Sequence, residues 1–232
     1  MINKTIVALD QMNKKEIFEA INTLHDFEYF KLGLEIFNQY GRDFIHEFIE
    51  KTNKRVFLDL KLHDIPKTVE CAIKGLEGLK VDFLTIHLSG GRQMIRSAMS
   101  AKNQYLPNTK VLGVSYLTSL GESDFNEIYG IKNHQVNDQF KRIFTLAAEE
   151  KIDGLISSPH ELSIIKSIEN KVGHQFIKIT PGIRFPHSNS NDQKRFMGPA
   201  QAFDHGANYI VMGRAITKSE NISETIKILK EI

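Results

Sequence analysis

Residues 55–68 read Arg55-Val56-Phe57-Leu58-Asp59-Leu60-Lys61-Leu62-His63-Asp64-Ile65-Pro66-Lys67-Thr68. Strand side chains alternate between two faces, so Asp59 and Lys61 point one way while Leu58 and Leu60 point the other. The run of Val, Phe and Leu puts these two charges where burial is expected. Unpaired buried charge is costly, so they should pair with each other or with a neighbour. Asp64 falls just past the strand, and Ile65-Pro66 opens a helix, as a proline in the first helical turn does. The stretch is one strand–helix unit with its charges gathered at the carboxyl end of the strand.

The same unit recurs along the chain. Further strands are expected at residues 5–10, 29–34, 82–87, 110–116, 154–157, 176–180 and 209–212, beside the one at 55–61. Helical spacing fills most gaps, as in Ile17, Ala20, Ile21 and Leu24, or Phe140, Ile143, Phe144 and Ala147. Asn13 with Glu16, and Ser158-Pro159-His160-Glu161, have the form of capping boxes at helix starts. Eight strand–helix units in 232 residues suit an α/β single-domain (β/α)8 TIM barrel, which typically takes about 250 residues. A doubly wound open sheet has the same alternation and stays open on strand counting alone. No Gly/Ser linker or charge block divides the chain, so residues 1–232 read as one domain. The connections at 119–137 and 184–199 are longer than the usual two to six residues, roughly, of such loops, which makes both candidates for lids over an active site.

Composition excludes several classes. With 41% hydrophobic and 25% charged residues the chain can bury a sizeable core, so neither a disordered chain nor a disulfide scaffold fits. Thirty Lys and Arg against 28 Asp and Glu leave a net charge of +2, which points to no nucleic-acid and no membrane partner. Cys71 is the single cysteine and cannot form an intrachain disulfide. The apolar run at 5–9 is too short for a secretion signal, and nothing approaches the roughly 20 apolar residues of a membrane span. A soluble cytoplasmic protein is expected.

The other strand ends extend the charged cluster. The first strand terminates in Asp10, the second carries Lys31, and the fifth runs into Thr118-Ser119. Asp and Lys alternating at one end of three strands suit a polar small-molecule substrate, although a structural ion pair at a barrel rim is the plainer alternative. A second cluster suits phosphate. The seventh strand ends Thr180-Pro181-Gly182-Ile183-Arg184 and the eighth Met212-Gly213-Arg214, and barrels commonly hold phosphate on the loops after strands seven and eight. Gly213 would let backbone N–H groups approach an anion, and a guanidinium can grip it in two places. The nine histidines lack metal-ligand spacing, and no dinucleotide, Walker or nucleophile-elbow motif is present, so neither a metal nor an organic cofactor is indicated.

These residues resemble the orotidine 5'-monophosphate decarboxylase family in its compact bacterial form. The block Asp59-x-Lys61-x-x-Asp64-Ile65-Pro66 matches the family signature. The likeness extends through Val7-Ala8-Leu9-Asp10, Lys31-Leu32-Gly33, Ile86-His87-Leu88-Ser89-Gly90-Gly91, Leu117-Thr118-Ser119, Thr180-Pro181-Gly182-Ile183-Arg184, Asp192-Gln193-Lys194-Arg195 and Gly213-Arg214. Leu88 and Ala215 depart from the family's usual residues, as does the Ser188-Asn189-Ser190-Asn191 run, and none of them touches a motif charge.

The resemblance implies the barrel and a cofactor-free, metal-free conversion of orotidine 5'-monophosphate to UMP and CO2, the last step of UMP biosynthesis. It implies Lys61 as general acid at C6, Asp59 and Lys31 holding its ammonium, and Asp64 beside the substrate carboxylate from the second subunit of a homodimer. Asp10 and Lys31 would contact ribose hydroxyls, with Thr68 assisting across the interface. Thr118, and Ser119 beside it, would approach the pyrimidine. Arg184, Gln193, Gly213 and Arg214 would hold the phosphate. Two alternatives accompany this reading: a metal-dependent sugar-phosphate aldolase or decarboxylase of the same superfamily, and a non-catalytic barrel that binds nucleotide phosphate.

Overall fold

The computed structural model describes residues 1–185 and 197–231. Its strands are β1 Thr5–Ala8, β2 Tyr29–Gly33, β3 Arg55–Leu62, β4 Phe83–His87, β5 Lys110–Val114, β6 Gly154–Ile156, β7 Ile177–Thr180 and β8 Tyr209–Met212. They are parallel and follow one another in chain order, and β8 returns to pair with β1 through Thr5↔Ile210, Ile6↔Val211 and Val7↔Met212. That last pairing excludes the open doubly wound sheet and makes the fold a (β/α)8 barrel. The helices are α1 Lys14–Thr23, α2 Leu34–Thr52, α3 Pro66–Lys74, α4 Gly91–Tyr105, α5 Glu122–Tyr129, α6 Val136–Glu149, α7 Leu162–Val172, α8 Pro199–Asp204, α9 Arg214–Thr217 and α10 Ile222–Glu231.

Period-2 alternation sorts the strand residues into two cores. Val7, Phe30, Leu32, Val56, Leu58, Leu84 and Ile210 point outward and are buried under the helices. Ile6, Ala8, Tyr29, Phe57, Phe83, Leu112, Val114, Ile156, Ile179 and Val211 point inward and fill the barrel. At the amino end the plug is aromatic, with Tyr29, Phe83 and Tyr209 in mutual contact at ring separations of 5.2 to 5.7 Å. The same inward rows end, at the carboxyl side, in Lys31, Asp59, Thr85 and His87. Apolar layers therefore fill the middle of the barrel, and the inward rows turn polar at the carboxyl rim, where barrel enzymes carry their sites.

Local signals behave as their chemistry requires, with two corrections. The capping box of α1 forms: Asn13 Oδ1 accepts from the N–H groups of Lys15 and Glu16 at 3.0 and 3.1 Å, and Glu16 accepts from the Asn13 N–H at 2.7 Å. At Ser158 only half of the expected box exists. Glu161 accepts from the Ser158 N–H, but the Ser158 hydroxyl donates to the same carboxyl instead of accepting from the helix backbone. The carboxyl is mostly buried, and burial holds Glu161 above the ordinary carboxylate range, so it takes the hydroxyl proton as an added partner.

The connection at 119–137 is not loop throughout. It folds as α5 followed by a 3-10 turn at Asn133–Gln135. Tyr116 meets Phe125, Tyr129 and Phe140 at 4.9 to 5.4 Å, and that aromatic packing gives the segment its own small core. Of the other long connection, 184–199, residues 186–196 lie outside the described residues. Where it returns, Ile183 pairs with Met197 and the Arg184 N–H donates to the Met197 carbonyl at 3.2 Å.

Candidate active site

The carboxyl ends of β1, β2 and β3 carry a linked row of charges. Lys31 Nζ donates to both oxygens of Asp10 at 2.8 and 3.0 Å and lies 3.7 Å from Asp59 Oδ2. Lys61 Nζ donates to the same Asp59 oxygen at 2.7 Å. Asp59 is 8% exposed, so it is a buried carboxylate held by two ammoniums, and either alone would be costly to bury. Gly33, one strand position above Lys31 on the inner face, leaves the room for this. A Cβ there would lie 3.1 Å from Asp10 Oδ1 and 3.2 Å from Lys31 Nζ. Asp10 itself sits beyond β1, which ends at Ala8 and not at residue 10, because the chain turns there toward α1.

Lys61 departs from strand geometry. Its φ of 47° lies in the left-handed region, which a residue with a Cβ seldom occupies in a strand. The β3–β4 ladder pairs Leu58 with Leu84 but Leu62 with Ile86, so β3 carries two more residues than β4 across this span. Lys61 sits on that bulge, a device that re-aims a side chain at barrel rims. Thr85 of β4, fully buried, lies against it: the Lys61 N–H donates to Thr85 Oγ1 at 2.8 Å, and the Thr85 hydroxyl donates to Asp59 Oδ1 at 2.8 Å.

Lys31, Asp59 and Lys61 open into a cavity with Thr118 and Ser119 on one wall. Its other walls are largely apolar, from Phe57, Val114, Ile156, Pro181 and Val211, with Tyr116 and Leu117 completing them. Few polar groups converging in a largely apolar cleft suit a small organic ligand. Beside the cavity His87 at the end of β4 lies 5.1 Å, ring to ring, from His63. Burial, with His63 and Lys61 nearby, pushes the His87 imidazole below its ordinary value, so it stays neutral near pH 7.

The second cluster begins at the cavity's edge. Pro181 lines it, and Gly182 follows with a φ of 77°, a left-handed turn that favours glycine and leads into Arg184. On the adjacent strand end Gly213 precedes the one-turn α9, whose first N–H groups have no partner within the helix. Gly213 has ordinary room for a Cβ, 3.5 Å from that of Ala8, so packing of this backbone does not require glycine. Arg214 is exposed and Arg184 half-buried. Gln193 lies outside the described residues.

Asp64 and Thr68 are not brought to this cavity by their own chain. Both are exposed, and between them Ile65 is 66% exposed. Asp64 does not cap α3 either: among the described residues its Oδ1 accepts from the adjacent Ile65 N–H alone, and Ile65 occupies the capping position. Among the described residues no group of three or more His, Cys, Asp or Glu is placed to hold a metal ion. Sequence reasoning missed Thr85, His87 and Tyr116 as site residues. The signal was the inward row Phe83-Thr85-His87, which turns polar toward the end where Asp59 and Lys61 sit.

Comparison with known proteins places the chain in a family. The family model described as "Orotidine 5'-phosphate decarboxylase / HUMPS family" matches residues 3–228. The chain is 38% identical over 233 residues to the orotidine 5'-phosphate decarboxylase of Fusobacterium nucleatum, covering 100% of this chain and 96% of that one. It is 36% identical over 231 residues to the protein of the same name from Staphylococcus saprophyticus, covering 100% and 98%. Among solved structures, that of orotidine 5'-phosphate decarboxylase from Lactobacillus acidophilus superposes with a TM-score of 0.79 at 31% identity, covering 99% of this chain and 98% of that one.

Proposed function

Because the chain belongs to the orotidine 5'-phosphate decarboxylase / HUMPS family, we propose that the cavity at the carboxyl ends of the strands is the site where it decarboxylates orotidine 5'-monophosphate. The chain is an orotidine 5'-phosphate decarboxylase, a carboxy-lyase of UMP biosynthesis. One observation carries the assignment of the site: the Lys61 ammonium, 2.7 Å from buried Asp59, faces a cavity whose walls are largely apolar.

Loss of CO2 from C6 leaves an electron pair in an sp2 orbital that the ring cannot delocalise. Lys61 stabilises that charge as it develops and then donates a proton to C6, so the C–C pair ends in the new C–H bond. Asp59 and Lys31 hold the ammonium against the reacting carbon, with no cofactor taking part. Lys31 and Asp10, joined at 2.8 Å, face the ribose hydroxyls, and Thr118 with Ser119 meets the pyrimidine edge. Arg184, Gln193, Gly213 and Arg214 grip the phosphate. Remote binding energy of that kind can drive closure around the reacting group, where the small carboxyl offers little surface to bind.

The protein acts as a cytoplasmic homodimer with shared sites. Asp64 and Thr68, exposed beside exposed Ile65, cross into the partner's cavity, Asp64 next to the substrate carboxylate and Thr68 next to the ribose. Among the described residues no helix is long and apolar enough to cross a membrane.

Incubation with orotidine 5'-monophosphate and EDTA tests the reaction directly. Substrate absorbance should fall and UMP appear by mass at an unchanged rate with the chelator present; loss of activity on adding EDTA would point instead to the metal-dependent sugar-phosphate branch. The phosphate grip predicts that Arg214→Ala lowers kcat/KM for orotidine 5'-monophosphate roughly ten- to a hundred-fold, as loss of a charge-assisted contact does. Orotidine without its phosphate should be a poor substrate that the same change scarcely affects. A similar fold-loss on both substrates would mean that Arg214 supports the barrel generally.

A further inference from the structure

The bulge of β3 leaves the Lys61 N–H without the ladder partner that a regular strand would give it, and a side chain takes its place. The Thr85 hydroxyl accepts from that N–H at 2.8 Å and lies 2.8 Å from Asp59 Oδ1. Donor and acceptor chemistry fixes the direction of both bonds. A backbone N–H can only donate, so Oγ1 must accept from it, and the single hydroxyl proton is free to go to the carboxylate. One buried hydroxyl thus ties the left-handed backbone of the ammonium-bearing residue to the carboxylate that the ammonium pairs with. Oδ2 of Asp59 is engaged by Lys61 and Lys31, so the Thr85 proton is what orients the other oxygen. Without it the carboxylate loses a fixed plane, and the strained φ of 47° at Lys61 loses the bond that over-determines it.

We infer that Thr85 is a positioning residue for the decarboxylation, holding Asp59 and the bulged backbone of Lys61 so that the ammonium stays aimed at the reacting carbon. The inference rests on the reading of Lys61 as proton donor. Thr85 is fully buried and is not part of the cavity wall, so it acts through those two residues and not on the substrate.

Three variants test it. Thr85→Val keeps the shape and removes the hydroxyl. Thr85→Ser and Thr85→Ala lose the same methyl and differ in the hydroxyl alone, which covers the case of a valine protein that does not fold. kcat and KM for orotidine 5'-monophosphate, Kd for UMP and Tm are measured on each, beside wild type and Lys61→Ala. The valine and alanine proteins should lose roughly ten-fold or more in kcat, the scale of one lost hydrogen bond to a charged group, with UMP affinity changing far less. Serine should restore most of the rate. Equal kcat for the serine and alanine proteins, or a valine protein within about two-fold of wild type, would overturn the positioning role. So would a loss of UMP affinity as large as the loss of kcat, the mark of general structural damage. Turnover that survives in Lys61→Ala would instead remove the reading beneath, and this inference with it.

Discussion

Replacing Lys61 with alanine should lower kcat by roughly a thousand-fold or more, the combined scale of a lost general acid and a lost preorganised charge. UMP should still bind, because the phosphate and ribose contacts proposed for Arg184, Arg214, Asp10 and Lys31 remain. The expectation comes from the geometry of the ammonium. It is anchored by Asp59 at 2.7 Å yet is 30% exposed at its side chain, so it faces the cavity while its partner is buried. No other ammonium among the described cavity residues is so placed, since Lys31 is held at 2.8 Å by Asp10 and is 11% exposed. The variant should fold, because Asp59 keeps Lys31 and the Thr85 hydroxyl as partners. The measurement is kcat with UMP Kd and Tm alongside. A protein that keeps even about a tenth of the wild-type rate would end the general-acid assignment.

The second large effect concerns Asp64. Asp64→Ala should also be nearly inactive alone, and mixing it with the inactive Lys61→Ala protein should bring activity back. In a mixed dimer with shared sites, one site would carry both defects and the other neither. At equal amounts with free exchange, half of the dimers are mixed, so recovery should approach about a quarter of wild-type activity. Exchange is verified by mass on differently tagged chains. No recovery after verified exchange would mean that each site is built from a single chain, and the exposed Asp64–Thr68 face would need another explanation. An Asp64→Ala protein active on its own would remove the residue from the site altogether.

The two corrections to the sequence reading share a cause. The connection at 119–137 lacks a strong helical signal of its own, and α5 stands because Phe125 and Tyr129 pack on Tyr116, and Phe125 on Phe140, residues just outside the connection. Ser158 and Glu161 have the spacing of a capping box, but the hydroxyl turned to the carboxyl once burial made that carboxyl the more demanding partner. In each case what the fold packs against the segment decided its local form.

What the chain determines by itself is whatever depends on near neighbours. The eight strands, the capping of α1 and the inward rows that begin apolar and end in Asp10, Lys31, Asp59 and Lys61 are read from periods of two and of about 3.6 residues. Those periods are steric properties of the backbone and need no knowledge of the rest of the molecule. The tertiary structure decided the rest. Closure of β8 on β1, the pairing of Lys31 with Asp10 over Gly33, the two extra residues of β3 against β4, and the Thr85 hydroxyl beneath Lys61 all depend on which strands lie side by side and in what register. Register is a relation between segments, and a buried N–H or carboxylate takes whichever partner that relation brings within about 3 Å. Thr85 came to lie beneath Lys61 and Asp59 for that reason: the polar turn of its own row puts it at the right end of the strand, and only the register says which groups it meets.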